Sequence, residues 1–187
     1  MALHGSGRTD EQLAIDAARE DSDGPAFQTL VQRYQQKVWQ ICFRLMGNAE
    51  DASDAAQEVF VRLFLHRGRY QRRSKYSTWV YGVALRTCLT LRRSRSRRQR
   101  RVQTAEITPE MAGHPAETKQ TSLQMDLTHM LETLSEEERA LLILKHAQGY
   151  SYDQLAEMFD LSVSACKMRV SRAREKLKQR FPEEFND

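Results

Sequence analysis

Apolar residues recur at every third or fourth position over three long stretches of this chain, as they do on one face of an α-helix. The first stretch starts at Pro25, a residue favoured in the first helical turn, and it ends at Gly47. Two further stretches, 52–64 and 79–91, predict two more helices, and a short leading helix is expected near 10–21. The pattern therefore predicts an N-terminal module of four helices.

The C-terminal part of the chain carries helix-start signals as well as apolar periodicity. Two pairs have the spacing of a capping box, which satisfies free backbone amides at a helix start: Ser135 with Glu138 and Ser151 with Gln154. A short helix over 151–159, a tight turn at 160–161 and a long helix capped by Ser162 have the proportions of a helix-turn-helix. The sequence therefore predicts a second helical module built around this motif.

Between the two modules lies a segment with little periodicity. Two prolines and a glycine interrupt any regular pattern there, as expected of a linker. We therefore predict an all-α protein of two small helical domains, residues 1–98 and 121–187, joined by a flexible linker over residues 99–120.

Composition narrows the class of protein. The chain has 187 residues, of which 40% are hydrophobic and 29% are charged, and this is within the globular range. It has no apolar run of 18 residues and no hydrophobic signal region at its N-terminus, which predicts a cytoplasmic protein without membrane insertion. The three cysteines lie inside apolar helical patterns and are expected to be buried thiols. The five histidines have no metal-ligand spacing and no Walker-type loop is present, so we expect no metal, no cofactor and no enzymatic activity.

Charge is distributed in blocks along the chain. Residues 67–101 hold 13 Lys and Arg side chains and no acid, whereas residues 1–66 and 102–138 hold more acids than bases. Within the basic block, the sequence RGRYQRRSKYSTWVY at 67–81 interleaves cations with tyrosines and a tryptophan. A basic block beside acidic ones indicates a local site for a polyanion.

The long basic helix of the predicted helix-turn-helix lies within 161–180, which contains seven Lys and Arg residues and one Glu. A strip beside its buried face would present side chains to base edges in a major groove: Lys167, Met168, Ser171 and Arg172. Three neighbouring cations lie off this strip and suit phosphates: Arg169, Arg174 and Lys178. The alternative is a solvated basic face on an amphipathic helix, but the preceding capped helix and tight turn favour DNA binding.

Two signatures resemble those of bacterial sigma factors. AEDASDAAQEVFVRLF at 49–64, followed by Tyr70 and YSTWVYGVAL at 76–85, is similar to their region two. LSEEERALLILKHAQGYSYDQLAEMFDLSVSACKMRVSRAREKL at 134–177 resembles their region four. The order of the two signatures, with a linker between them, is similar to that of the extracytoplasmic-function (ECF) group of the sigma-70 family.

The resemblance implies a sigma factor that binds core RNA polymerase and directs promoter-specific transcription initiation. Three residues match the family's polymerase-binding positions: Asp54, Gln57 and Glu58. The minus-ten element would be recognised and opened by the cations and aromatics that follow: Arg69, Tyr70, Arg72, Arg73, Lys75, Tyr76, Trp79 and Arg86. Strand capture needs cations along the backbone and aromatic faces against bases, and such stacking contributes about 1–3 kcal/mol per base. Region four would read the minus-thirty-five element with the strip and the neighbouring cations described above.

Some positions leave alternatives open. Arg86 stands where many family members carry Asn, so it contacts either a base or a phosphate. Trp79 and Tyr81 lie in a helical stripe, and at least one of them is expected in the core. The run Arg92–Arg101, with seven arginines, either follows upstream duplex phosphates or is a solvated helix end. Met168 offers no strong hydrogen-bonding group, so base preference is not carried over from relatives.

A competing hypothesis is an autonomous helix-turn-helix regulator that binds duplex operator DNA by itself. Such a protein would need a dimerisation surface to match two half-sites, and the sequence has no heptad seam for one. The family usually has an anti-sigma factor, and a chain of this size without a sensor domain needs external control. The resemblance therefore implies three partners: core RNA polymerase, promoter DNA and an anti-sigma factor.

Overall fold

The computed structural model of the chain describes residues 7–20, 24–105 and 129–185. The regular structure in these ranges is helical throughout, which confirms the all-α prediction. Four helices form the N-terminal module: α1, Asp10–Arg19; α2, Pro25–Met46; α3, Ala49–Leu65; and α4, Tyr76–Ala105. A 3-10 turn, Arg67–Arg69, and a loop connect α3 to α4. The last of these helices continues past residue 98, where the sequence predicts the end of the first domain.

α2 and α3 form the centre of the N-terminal module. α2 ends at Gly47, whose φ of 89° is a left-handed conformation that glycine adopts without steric cost. Asn48 then caps α3 by accepting a backbone N–H with its side-chain oxygen. The turn brings α3 back along α2, so that Val38 and Ile41 of α2 and Val59 of α3 are fully buried.

α1, the short leading helix that the sequence predicts, is fastened to α2 and α4 by its acidic first turn. Asp10 accepts a hydrogen bond from Arg33 at 2.6 Å and another from the Tyr34 hydroxyl, both on α2. Glu11 accepts the backbone N–H of Tyr76 at 3.2 Å and so caps the start of α4. The position of α4 therefore depends on α1.

The C-terminal module begins, within the described residues, with a helical segment at 129–132. Further elements follow it: α5, Glu136–Leu142; a π-helical turn, Ile143–Ala147; α6, Tyr152–Phe159; α7, Val163–Arg180; and a 3-10 turn, Pro182–Phe185. Both predicted capping boxes are present, and Ser162 caps α7, as predicted. Asp160, with a φ of 55°, turns the chain from α6 into α7. Residue 121, where the sequence predicts the start of this module, lies outside the described residues.

Buried apolar side chains of both modules form one continuous cluster. It includes the three cysteines, which are fully buried as predicted: Cys42, Cys88 and Cys166. α4 contacts α2 and α3 of its own module and also α5 and α6 of the other module. In the three described ranges, no helix combines the length and the apolar character needed to cross a bilayer.

Candidate nucleic-acid interface

The loop between α3 and α4 carries part of the predicted minus-ten site. Four of its cations are exposed: Arg69, Arg72, Arg73 and Lys75. The Tyr70 hydroxyl donates to the Ser74 carbonyl at 2.7 Å and ties the two ends of this loop together. Arg72 has a φ of 57°, a left-handed conformation that is unfavourable for a residue with a side chain. The loop is therefore held in a defined shape with its cations in solvent.

Arg67 belongs to the same basic stretch but has a structural role. Its guanidinium donates to three backbone carbonyls at 2.8 to 3.2 Å: those of Ala17, Glu20 and Phe64. The same group lies 4.1 Å from the centroid of the Phe64 ring. These contacts join the end of α1 to the end of α3, so this cation is not available to a nucleic acid.

Three aromatic side chains cluster at the start of α4. The ring centroids of Tyr70, Tyr76 and Trp79 lie 5.1 to 5.7 Å apart. Tyr70 and Trp79 are half-buried, whereas Tyr76 is only 3% exposed and also packs on Tyr34. Burial raises the pKa of the Tyr76 hydroxyl. Tyr76 therefore supports the other two rings, and Tyr70 and Trp79 present the aromatic surface of the cluster.

Farther along α4, the predicted minus-ten surface meets the C-terminal module. The Tyr81 ring packs on Tyr150, with centroids 5.9 Å apart, and on Tyr34. Arg86 lies at the edge of this contact and lines one cavity with Phe159 of α6 and Arg169 of α7. Desolvation there lowers the pKa of its guanidinium, and the negative charge of Asp160 partly offsets this effect. To the two alternatives left open for Arg86, a base or a phosphate, the structure adds packing against the C-terminal module.

The residues that match polymerase-binding positions lie together on the outer face of α3. Asp54 and Gln57 are exposed, and half-buried Glu58 forms an ion pair with an arginine one turn later at 2.6 Å. The same face continues into two apolar side chains, Val61, which is 52% exposed, and Leu65, which is 66% exposed. The face is thus acidic at one end and apolar at the other.

Next to this face lies an aromatic pair that sequence reasoning missed. Trp39 and Phe43 of α2 stack with their ring centroids 5.0 Å apart, and more than a third of each side chain is exposed. The Trp39 Nε1 atom donates to Ser53 Oγ at 3.3 Å, which places the pair beside Asp54. A signal was present in the sequence, because neither aromatic falls on the buried stripe of α2.

α7 presents the predicted DNA-reading residues on its outer face. Six of the seven are exposed: Lys167, Met168, Ser171, Arg172, Arg174 and Lys178. A shallow groove of about 300 Å³ runs along this face, and its lining includes Lys167, Ser171 and Arg174. Tyr152, at the start of α6, lines the same groove, and its ring centroid lies 5.8 Å from the Lys167 Nζ atom. Sequence reasoning missed Tyr152, although an aromatic directly after a capping serine was a usable signal.

The seventh residue, Arg169, is half-buried and faces α5. Its guanidinium donates to Glu137 at 3.1 Å, and Lys176, about two helical turns later, pairs with Glu138. Both glutamates belong to the acidic first turn of α5. These contacts fasten α7 to α5, so Arg169 reaches a phosphate only in competition with Glu137.

The first part of the arginine run in α4 is engaged in ion pairs. Arg92 pairs with Glu136, Arg93 pairs with Glu137, and Arg95 pairs with Asp51. The Arg95 guanidinium lowers the pKa of Asp51. For these arginines the structure adds a third role, pairing within the chain, to the two alternatives that the sequence left open.

The chain combines a helix-turn-helix that has a basic outer face with a four-helix module that exposes a basic and aromatic loop. This combination defines a DNA-binding protein of two helical modules. The family model for sigma-70 region 2 matches residues 30–98, and that for sigma-70 region 4 matches residues 124–177. Both halves therefore match families of one class of transcription protein.

Individual relatives agree with these matches. The RNA polymerase sigma-H factor of Pseudomonas aeruginosa is 30% identical over 176 residues, which cover 89% of this chain and 90% of the relative. The ECF RNA polymerase sigma factor SigW of Bacillus subtilis is 26% identical over 171 residues, or 85% of this chain and 90% of the relative. The sigma factor RpoE of Bartonella quintana, crystallised with the anti-sigma factor NepR, has a similar fold. Its TM-score is 0.58 at 24% identity, over 82% of this chain and 94% of that chain.

The chain belongs to the ECF group of the sigma-70 family. It is a sigma factor that directs promoter-specific initiation of transcription. The hypothesis of an autonomous operator-binding regulator is not favoured, because the N-terminal module matches sigma-70 region 2 as well.

Proposed function

We propose that the two modules divide the work of initiation between them. Residues 1–98 form region two, which binds core RNA polymerase and opens the minus-ten element. Residues 121–187 form region four, which reads the minus-thirty-five element, and residues 99–120 link the two. The family matches, 30–98 and 124–177, fall within these bounds and support the division. The protein works in the cytoplasm and has no enzymatic activity of its own.

The loop before α4 captures one strand of the minus-ten element. The observation that carries this proposal is the pair of half-buried rings, Tyr70 and Trp79, beside four exposed cations. Extruding a base costs a few kcal/mol, and stacking on an aromatic side chain returns about 1–3 kcal/mol per base. Two rings therefore offset much of the cost of one extruded base, while the cations hold the strand by its phosphates.

The outer face of α3 docks on core RNA polymerase. Its exposed polar side chains, Asp54 and Gln57, lie beside the half-buried Glu58 and are followed by the exposed Val61. Interfaces of this kind combine an apolar centre with a polar rim. The neighbouring Trp39 adds aromatic surface, which is enriched in protein interfaces.

The outer face of α7 reads the minus-thirty-five element. Lys167, Ser171 and Arg172 contact base edges, with Met168 packing against them, and Arg174 and Lys178 contact phosphates. The support is their exposure on one face of a helix that follows a capped helix and a tight turn. Tyr152 joins this surface from α6 because it shares the groove.

An anti-sigma factor keeps the protein inactive until transcription of its target genes is required. RpoE of Bartonella quintana, which has a similar fold, was crystallised with the anti-sigma factor NepR. The exposed apolar side chains on α2 and α3 offer such a partner a surface that also serves the polymerase. A partner on that surface would compete with polymerase directly.

Strand capture is tested with Tyr70→Ala/Trp79→Ala in complex with core polymerase, on a promoter selected with the wild-type protein. We expect unchanged binding of duplex promoter and weaker permanganate reactivity of its thymines, because the stacking partner exists only after bases leave the helix. A pre-melted template should restore transcription.

The matched control for this experiment is Arg72→Gln/Arg73→Gln, which removes cations from the same loop. It should weaken closed and open complexes alike, since phosphates are present in both. Normal opening of duplex promoter by Tyr70→Ala/Trp79→Ala would contradict the capture proposal.

A further inference from the structure

The loop before α4 is anchored at both of its ends on α1. At the first end, the Arg67 guanidinium donates to the carbonyls of Ala17 and Glu20, where α1 ends, at 3.0 and 3.2 Å. At the last end, the backbone N–H of Tyr76 donates to Glu11 Oε1, in the first turn of α1, at 3.2 Å. α1 therefore spans the loop and fixes the spacing of its two ends.

The start of α4 is capped by a side chain of another helix. Lys75 accepts the backbone N–H groups of Thr78 and Trp79 with its carbonyl and so occupies the N-cap position. A lysine side chain has only donors, so it cannot accept an amide hydrogen of the first turn. The first turn itself contains no acidic residue. The Glu11 carboxylate supplies both the acceptor and the negative charge that stabilise this helix end.

The aromatic cluster at the start of α4 also depends on α1. Asp10, the neighbour of Glu11, accepts a hydrogen bond from the Tyr34 hydroxyl, and the Tyr34 ring packs on Tyr76 with centroids 5.7 Å apart. Tyr76 in turn supports the two rings proposed to stack on an extruded base. Burial raises the pKa of the Tyr70 hydroxyl, and the charge of Glu11 raises it further. α1 thus supports the cluster through both the backbone and the ring of Tyr76.

α1 is poorly suited to contact DNA by itself. It holds three acids and one base, and its acids, Asp10, Glu11 and Asp16, would repel phosphates. Its apolar face is buried against the rest of the module. Any influence of α1 on promoter opening must therefore act through the loop and the rings that it supports.

We propose that α1 is the positioning element of strand capture and that Glu11 is its positioning residue. By capping Tyr76, Glu11 holds the start of α4, and with it Tyr70 and Trp79, in the arrangement that receives an extruded base. The proposal rests on the proposed function, because it takes these two rings as the stacking surface. A surface that is ordered before the strand arrives loses less conformational freedom when the base binds.

The first test measures the environment of Trp79 without DNA. The chain has two tryptophans, so Trp39→Phe leaves Trp79 as the only one. In this background, Glu11→Ala should increase acrylamide quenching of Trp79 about twofold, because the start of α4 loses its cap and the half-buried ring becomes more accessible. Glu11→Gln should stay near the quenching of the background protein, since its amide oxygen still accepts the Tyr76 N–H.

The matched control is Asp16→Ala, which removes a carboxylate from the same helix. Asp16 pairs with Arg8, and their side chains are 40% and 63% exposed, so this pair contributes little to stability. The control should leave the quenching of Trp79 unchanged. Glu11→Asp, which keeps the charge but shortens the side chain by one methylene, should give a smaller increase than Glu11→Ala. Unchanged quenching in both Glu11→Ala and Glu11→Asp would overturn the positioning role.

The second test measures promoter opening by the full-length chain with core polymerase. Glu11→Ala should bind core polymerase and duplex promoter as the wild type does, but it should lower the permanganate reactivity of promoter thymines roughly fivefold. Glu11→Gln should open the promoter normally. Combined with Tyr70→Ala/Trp79→Ala, the alanine variant should add no further defect, because a positioning residue acts only through the rings it positions.

The outcomes separate this proposal from the proposed function. Normal opening with Glu11→Ala, beside impaired opening with Tyr70→Ala/Trp79→Ala, would overturn the positioning role and leave strand capture standing. An additive defect in the combined variant would also overturn it, since Glu11 would then act by another route. Normal opening with Tyr70→Ala/Trp79→Ala would contradict strand capture, and the quenching of Trp79 would still show whether Glu11 holds the cluster.

Discussion

The two surfaces proposed to bind DNA are built in different ways. On α7, the predicted residues follow a regular helix, and all but Arg169 are exposed. In and beside the loop before α4, residues of the same type have different environments. Arg67 binds backbone carbonyls, whereas Arg72 and Arg73 lie in solvent. Tyr76 is buried. A helix assigns side chains to faces by its period, but a loop assigns each one by the local path of the backbone. Residue type therefore indicates function more directly on α7 than in the loop.

The largest expected effect comes from Tyr76, where the difference between the two surfaces is greatest. Tyr76→Ala removes a ring that is 3% exposed, and truncation of a buried aromatic typically costs about 3–5 kcal/mol of unfolding free energy. Tyr70→Ala, at a half-buried position in the same cluster, should cost clearly less. Urea unfolding measures both, and equal small losses would show that Tyr76 does not support the cluster.

The next effect concerns Arg67 and sharpens the comparison among cations. Arg67→Gln removes a guanidinium that donates to three carbonyls, and hydrogen bonds from charged groups contribute about 1.5–3 kcal/mol. The control, Arg69→Gln, changes an exposed cation two residues away and should stay within about 0.5 kcal/mol of wild type. Thermal unfolding measures the stability of both variants. Wild-type stability in both would contradict the structural role of Arg67.

On α7, a smaller effect should separate base reading from phosphate binding. Arg172→Ala should reduce the free-energy discrimination between bases at one position of the bound sequence by about 1–3 kcal/mol. Lys178→Ala should weaken binding to all sequences alike. Selection of bound sequences from a random library measures both variants. An unaltered preferred sequence with Arg172→Ala would contradict the proposal that this face of α7 contacts the bases.

The smallest effect comes from Arg95, and it asks whether a helical arginine can be structural in the way Arg67 is. Arg95 lowers the pKa of Asp51 below its ordinary value of 3.8, so the stabilisation is present above that value and is lost as pH falls through the lowered pKa of the folded protein. Because Arg95 is half exposed, the contribution should be under about 1 kcal/mol. Wild type and Arg95→Gln should therefore differ slightly in unfolding free energy near neutral pH and converge in acid, once pH is below the lowered pKa of Asp51. A difference that persists in acid would assign the effect to packing.

The helices and their caps could be predicted because their signals are local. The capping boxes at Ser135 and Ser151 each involve residues three positions apart, and Gly47 ends α2 by its own backbone conformation. The ion pairs of Arg92 with Glu136 and of Arg93 with Glu137 could not be predicted, since the partners are 44 residues apart and no periodicity links them. The same holds for Arg67 and Ala17, which are 50 residues apart.

The candidate site shows the same difference between local signals, which could be predicted, and contacts between distant residues, which could not. Asp54, Gln57 and Glu58 were assigned by resemblance, and the helix then placed them on one face. Trp39 was missed because apolar periodicity identifies the buried face of a helix, and Trp39 lies outside that face. The burial of Tyr76 depends on Tyr34, a residue of another helix, and no local pattern encodes that contact.

The fastening of α1 to the rest of the N-terminal module bears on where this protein can be cut. The family match for region two begins at residue 30, after α1 has ended. A chain shortened to that point would lose Glu11, which caps the helix that carries Trp79, and two of the three carbonyls that Arg67 binds. The smallest fragment expected to fold by itself therefore starts near Thr9, the residue that caps α1, about twenty positions before the match to the region 2 family model begins.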